Sequence, residues 1–81
     1  MVVSIQFLGS QRAITHTPAI EMPITGEMKV SDVLEYVKHR YPALQLQESE
    51  TIITVNQEMV LPERILQAND TISFLPFIHG G

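Results

Sequence analysis

Val3, Ile5 and Phe7 alternate with Ser4 and Gln6 near the start of the chain. That period of two predicts a strand with one buried face. Gly9-Ser10 closes the run with a turn signal. A second alternating run covers 19–24, with Ile20, Met22 and Ile24 on one face and Glu21 on the other. Pro23 has no N–H to give to a ladder, so this strand is expected at a sheet edge. Val30, Val33, Leu34, Val37 and Tyr41 then recur at the spacing of one helical stripe. Ser31 is the expected N-cap and Asp32 suits the positive first turn. Lys38, His39 and Arg40 fall where cations complement the helix dipole, and Pro42 stops the helix.

The polar stretch 45–50 reads as a loop. Ile52 to Val55 is a β-branched strand, Asn56-Gln57 a turn and 58–61 a short return strand. Residues 62–66 suggest a single turn that buries Ile65 or Leu66, and Asn69-Asp70 punctuates the chain before a last strand over 71–75. Ile72 and Phe74 point inward on that strand, and Pro76 ends it. The order is β-β-α-β-β-β. One apolar stripe needs one sheet face to receive it, with the first and last strands central and parallel. The expected fold is α+β: a β-grasp with a mixed four- to five-stranded sheet packed on one main helix. The domain is expected to cover 1–76, followed by a flexible tail over 77–81.

Composition narrows the functions this layout could serve. The chain has 81 residues, enough for one domain with a small core. It has no cysteine, which excludes a disulfide scaffold, a thiolate metal site and a cysteine nucleophile. The start lacks the basic and apolar regions of a signal peptide, and no run approaches about 18 apolar residues. A cytoplasmic protein without a membrane partner is therefore expected. The net charge of -4 and the scatter of Arg12, Lys29, Lys38, Arg40 and Arg64 argue against nucleic acid. The acidic balance fits a partner with a basic surface and equally fits plain solubility.

No catalytic constellation emerges. His16, His39 and His79 have no ligand spacing, so no metal site is expected. Ser10, Ser31 and Ser49 lack a nucleophile motif. Glu48 and Glu50 lie in a solvated loop, and no glycine-rich phosphate loop occurs. The informative feature is the end of the chain. Beyond the strand stopped by Pro76 come Phe77, Ile78 and His79, then Gly80 and Gly81. Two glycines have no Cβ, so such a tail can thread a narrow channel and leave its carboxylate sterically open. A carboxylate becomes an electrophile once ATP has adenylated it, after which sulfur or an amine can take the acyl group. The tail supplies the acyl group and a partner supplies the catalysis.

The run Ile53-Thr54-Val55-Asn56-Gln57, then Asn69-Asp70-Thr71-Ile72-Ser73-Phe74-Leu75-Pro76, then Gly80-Gly81, resembles the MoaD/ThiS family of ubiquitin-like sulfur-carrier proteins, and the resemblance spans the whole chain. The aromatic-rich segment from Phe74 to Phe77 is more similar to the small subunit of molybdopterin synthase than to the thiamine carrier. Leu75 and Phe77 depart from the more typical Phe-Phe-Pro-Pro arrangement, and His79 is unusual. The resemblance implies that the Gly81 carboxylate is adenylated by a ubiquitin-activating-enzyme-like adenylyltransferase using ATP and becomes a thiocarboxylate. It also implies that the tail then inserts into the large subunit of molybdopterin synthase, or into thiazole synthase. The chain would be a carrier subunit with no bound cofactor and no catalytic side chains of its own.

Strand parity adds a partner surface. Leu8 falls opposite Val3, Ile5 and Phe7, and Leu75 falls opposite Ile72 and Phe74. On neighbouring strands these two leucines are expected to form an exposed apolar patch beside the tail, extended by Phe77, Ile78 and His79. Four functions share these features: a carrier for molybdopterin, a carrier for thiamine thiazole or another product, a protein modifier conjugated through Gly81, and an interaction domain with inert glycines.

Overall fold

The computed structural model describes residues 1–76; the five residues after Pro76 lie outside the described part. The elements are β1 (Val2–Gln6), α1 (Gln11–Thr15), β2 (Ala19–Pro23), α2 (Val30–Arg40), β3 (Thr51–Val55), β4 (Glu58–Val60) and β5 (Thr71–Pro76). Single 3-10 turns at Pro42–Leu44 and Glu48–Glu50 link α2 to β3. The strands form one sheet in the order β2-β1-β5-β3-β4. Parallel β1 and β5 form its centre, the other pairings are antiparallel, and β2, with Pro23, lies at the edge. This is the mixed β-grasp sheet expected from the pattern.

Register follows from which face is buried. Ile5 stands opposite Ile20 and Ile72, and Ile53 stands opposite Phe74 and Val60. These side chains share the face covered by α2, whose Val30, Val33, Leu34 and Val37 are fully buried. A one-residue slip of β5 would turn Ile72 and Phe74 into water, so the register is strongly specified. Tyr41, just past α2, is half-buried and meets Phe7 edge to face, with ring centres 5.4 Å apart.

Three local expectations need correction. The helix starts at Val30, with Lys29 rather than Ser31 in the cap position. The Val30 and Ser31 N–H groups donate to the carbonyls of Arg64 (2.9 Å) and Pro62 (3.0 Å). The Lys29 N–H donates to the Asp32 carboxylate at 2.8 Å. Acceptors from a distant loop thus satisfy amides that a serine hydroxyl usually serves. The turn at Gly9-Ser10 continues into α1, which closes at His16 with φ 61°. The polar stretch 45–50 hides Leu46, which joins the core. At 62–66 it is Leu66 that is buried, while Ile65 remains exposed.

Asn56 and Gln57 both have positive φ, 53° and 72°. This primed turn matches the twist of the strands it joins. Asn56 is also tied to a buried carboxylate. Asp70 is 5% exposed and accepts from the Gln67 N–H (2.8 Å), Arg64 Nη1 (3.0 Å) and Asn56 Nδ2 (3.0 Å). The Asn56 side-chain oxygen in turn accepts from the Thr71 N–H at 3.0 Å. Burial pushes the Asp70 carboxyl up, but the Gln67, Arg64 and Asn56 hydrogen bonds outweigh it and hold the carboxyl below its ordinary value. The network fixes the start of β5 against the β3–β4 turn.

Asp70→Ala is expected to cost about 2–3 kcal/mol of stability, because three donors lose a charged acceptor. A carboxyl whose folded pKa lies below its unfolded value of about 3.9 contributes stability that is fully present above that pH. The contribution is lost as pH falls through the folded pKa. Melting temperature measured from neutral to acidic pH is therefore expected to fall more steeply for the wild type than for Asp70→Ala.

Candidate functional site

The candidate site is the end of β5, the last described part of the chain before residues 77–81. β5 is held by β3 through its final residue: Leu75 stands opposite Ile52 and Pro76 opposite Thr51. The Thr51 hydroxyl donates to the Gln47 carbonyl at 2.6 Å, which secures the start of β3. On the other side, β1 accompanies β5 only as far as the Gln6–Ser73 pair. There the chain turns away at Gly9 (φ 54°) into α1. Gln11, the first residue of α1, reaches back: its Nε2 donates to the Phe74 carbonyl at 2.7 Å and its Oε1 accepts from the Leu8 N–H at 3.0 Å.

Strand parity divides the sheet into two faces. Phe74 is buried under α2, while its neighbour Leu75 lies on the open face with Ile52. Both Leu75 and Ile52 are half-buried. Leu8 is also half-buried, but it follows the end of β1 instead of continuing that strand, because the chain has already left the ladder. The fully exposed apolar surface is elsewhere. Met59 (73% exposed) pairs with Thr54 on the open face, and Leu61 (72% exposed) follows β4 with the same parity. The alternation of Met59 and Leu61 with Val60 carries that signal in the sequence, whereas the pairing of Ile52 with Leu75 emerges only in the sheet. Toward the opposite end of β5 the open face turns polar, where Gln6, Asn56, Gln57, Thr71 and Ser73 line a shallow hollow.

Phe77, Ile78, His79, Gly80 and Gly81, named as tail and partner-binding residues, lie outside the described residues. Among the described residues no three His, Asp or Glu side chains converge on a metal-sized site. No described helix is long and apolar enough to cross a membrane. The hollow lined by Gln6, Asn56, Gln57, Thr71 and Ser73 contains no His, Lys, Asp or Glu to act as a base. What the described surface offers is a fixed strand end with aliphatic side chains on the open face beside it.

The model of the ThiS family matches residues 5–81, which includes the last strand and both terminal glycines. The chain belongs to the ThiS family. This bears out the resemblance to ubiquitin-like sulfur carriers drawn from the hairpin, the Asp70 turn and the glycines. Among curated proteins, none matches the chain. Among solved structures, SAMP1 from Haloferax volcanii superposes with a TM-score of 0.80 at 16% identity, over 100% of both chains. The small archaeal modifier protein 1 of Methanosarcina acetivorans gives 0.79 at 23% identity, covering 99% of this chain and 96% of that one. A chain from the complex of subunits 1 and 2 of the molybdopterin-converting factor of Helicobacter pylori gives 0.65 at 21% identity, over 100% of both chains. At these identities the likeness carries the β-grasp fold.

Proposed function

We propose that this ThiS-family chain carries sulfur as a thiocarboxylate on Gly81 and donates it to the forming dithiolene of molybdopterin. The observation that carries the reading is the family match extending through Gly81, on a fold whose final strand is clamped until just before the tail. An activating adenylyltransferase uses ATP. The Gly81 carboxylate oxygen takes the adenylyl group, and pyrophosphate leaves. A sulfide-level sulfur then displaces AMP and leaves the thiocarboxylate. The carrier holds no cofactor of its own, and its setting is the cytoplasm. The molybdopterin branch is favoured by the Phe74–Phe77 segment. The structural likeness to small archaeal modifier proteins favours a second reading, in which a lysine amine takes the same acyl group. Incubation of the thiocarboxylated chain with a large synthase subunit and the pterin precursor separates the two. Dithiolene product supports the first reading; tail-dependent conjugates without product support the second; formation of thiazole would redirect the chain to thiamine.

The open-face aliphatics beside the tail root are the proposed docking surface for the adenylyltransferase, because a tail that enters the partner's site brings this face against the partner. Leu75→Ala and Ile52→Ala are expected to weaken the complex roughly tenfold or more in Kd, the effect of trimming a central apolar anchor. Both variants are expected to keep the fold, since neither side chain belongs to the core under α2. Titration calorimetry against the adenylyltransferase checks this.

A further inference from the structure

We infer that Gln11 is a positioning residue for acyl transfer: its side-chain amide replaces the missing turn of the β1–β5 ladder and fixes the origin from which the tail leaves. This inference rests on the function proposed above. In the parallel pairing, β1 serves β5 over Ser4–Gln6 and then departs, while β5 continues to Pro76. The Phe74 carbonyl would then lose its partner on that side. Gln11 supplies one, donating to Phe74 at 2.7 Å while accepting from Leu8 at 3.0 Å. A primary amide has a donor and an acceptor in one plane, so it can bridge two chains as a peptide group does. The last residues of β5 are thus held by β3 on one side and by a side chain on the other.

The side chain is itself held in place. The Gln11 N–H donates to the Leu8 carbonyl at 3.1 Å and Arg12 Nε donates to the Phe7 carbonyl at 2.9 Å. The buried Thr15, at the other end of α1, donates its hydroxyl to the Thr17 carbonyl at 2.8 Å and makes no hydrogen bond to the Gln11 bridge. No amphipathic stripe explains a helix this short. Gln11 and Arg12 instead return to the end of β1, and the Gln11 side chain crosses to β5. Fixing the end of β5 fixes the point from which the last residues start, and rates of acyl transfer depend steeply on placement. The partner's grip on the open face is a separate matter, carried by Leu75 and Ile52.

The test uses the full chain with its adenylyltransferase and ATP, reading KM for the carrier and kcat by pyrophosphate exchange, with amide hydrogen exchange at Leu8. Gln11→Met removes both bonds; Gln11→Glu keeps an acceptor for Leu8 but sets a carboxylate against the Phe74 carbonyl. Both are expected to lower kcat about tenfold with KM little changed, and only Gln11→Met is expected to lose protection at Leu8. Leu75→Ala is expected to raise KM instead. Thr15→Val, which loosens α1 without touching β5, is expected to keep kcat. Wild-type kcat in Gln11→Glu overturns the inference alone, as does a fall in Thr15→Val equal to that in Gln11→Met. A wild-type chain that no activating enzyme adenylates overturns the functional reading, and the inference with it.

Discussion

Removal of Gly81 is expected to abolish adenylation and sulfur loading completely while leaving the melting temperature unchanged. The two halves of that result have separate causes. The reacting carboxylate would move to Gly80 and stop one residue short, and acyl transfer does not tolerate a displacement of a whole residue. Stability is untouched because the core comprises side chains from Val3 to Phe74. Gly81→Ala should have a partial effect: it keeps the reach but adds a Cβ beside the reacting carbon. Pyrophosphate exchange on the three chains, with thermal melts in parallel, checks the expectation. A truncated chain that still loads sulfur would show that the terminal position is not the reacting one.

Phe74→Ala should do the opposite. Phe74 is fully buried at the centre of the sheet, opposite Ile53. Truncating a buried phenylalanine costs about 3–5 kcal/mol through lost transfer energy and the cavity left behind. A small domain has roughly 5–15 kcal/mol in total, so this variant is expected to lose much of its stability. Its neighbour Leu75, on the other face of the same strand, should lose partner affinity and keep the fold. Denaturant unfolding of the two alanine variants tests whether strand parity separates folding from docking. Equal destabilisation by both would show that the open face is part of the core.

That parity was legible in the sequence because alternation needs no knowledge of distant contacts. The same holds for the α2 stripe and for Pro23, whose missing N–H placed β2 at an edge. Features that depend on distant partners were not legible. The start of α2 is capped by carbonyls of Pro62 and Arg64 rather than by Ser31, and no local pattern announces a tertiary acceptor. Leu46 alternates with Gln45 and Gln47 only one step beyond Leu44, a run too short to mark a buried position. Asn69-Asp70 reads as punctuation, yet Asp70 is the hub of a buried network whose partners include Asn56. At the site, Leu75 could be assigned to a face, whereas the role of Gln11 depends on Phe74, 63 positions away in the chain. That Leu8 lies past the end of β1 was not legible for a related reason: alternation gives no sign of where a strand leaves its ladder.

The division of labour follows from these contacts. α2 and the buried face hold the sheet, the Asp70 network fixes the start of β5, and β3 with Gln11 fixes its end. In the proposed function, chemistry is left to the last carboxylate. The most direct test is the intact mass of the chain after incubation with its activating adenylyltransferase, ATP and a sulfur donor. The account predicts replacement of one oxygen by sulfur, localised by fragmentation to Gly81 and dependent on ATP. An unmodified carboxylate under those conditions, with the enzyme proven active on another carrier, would contradict it.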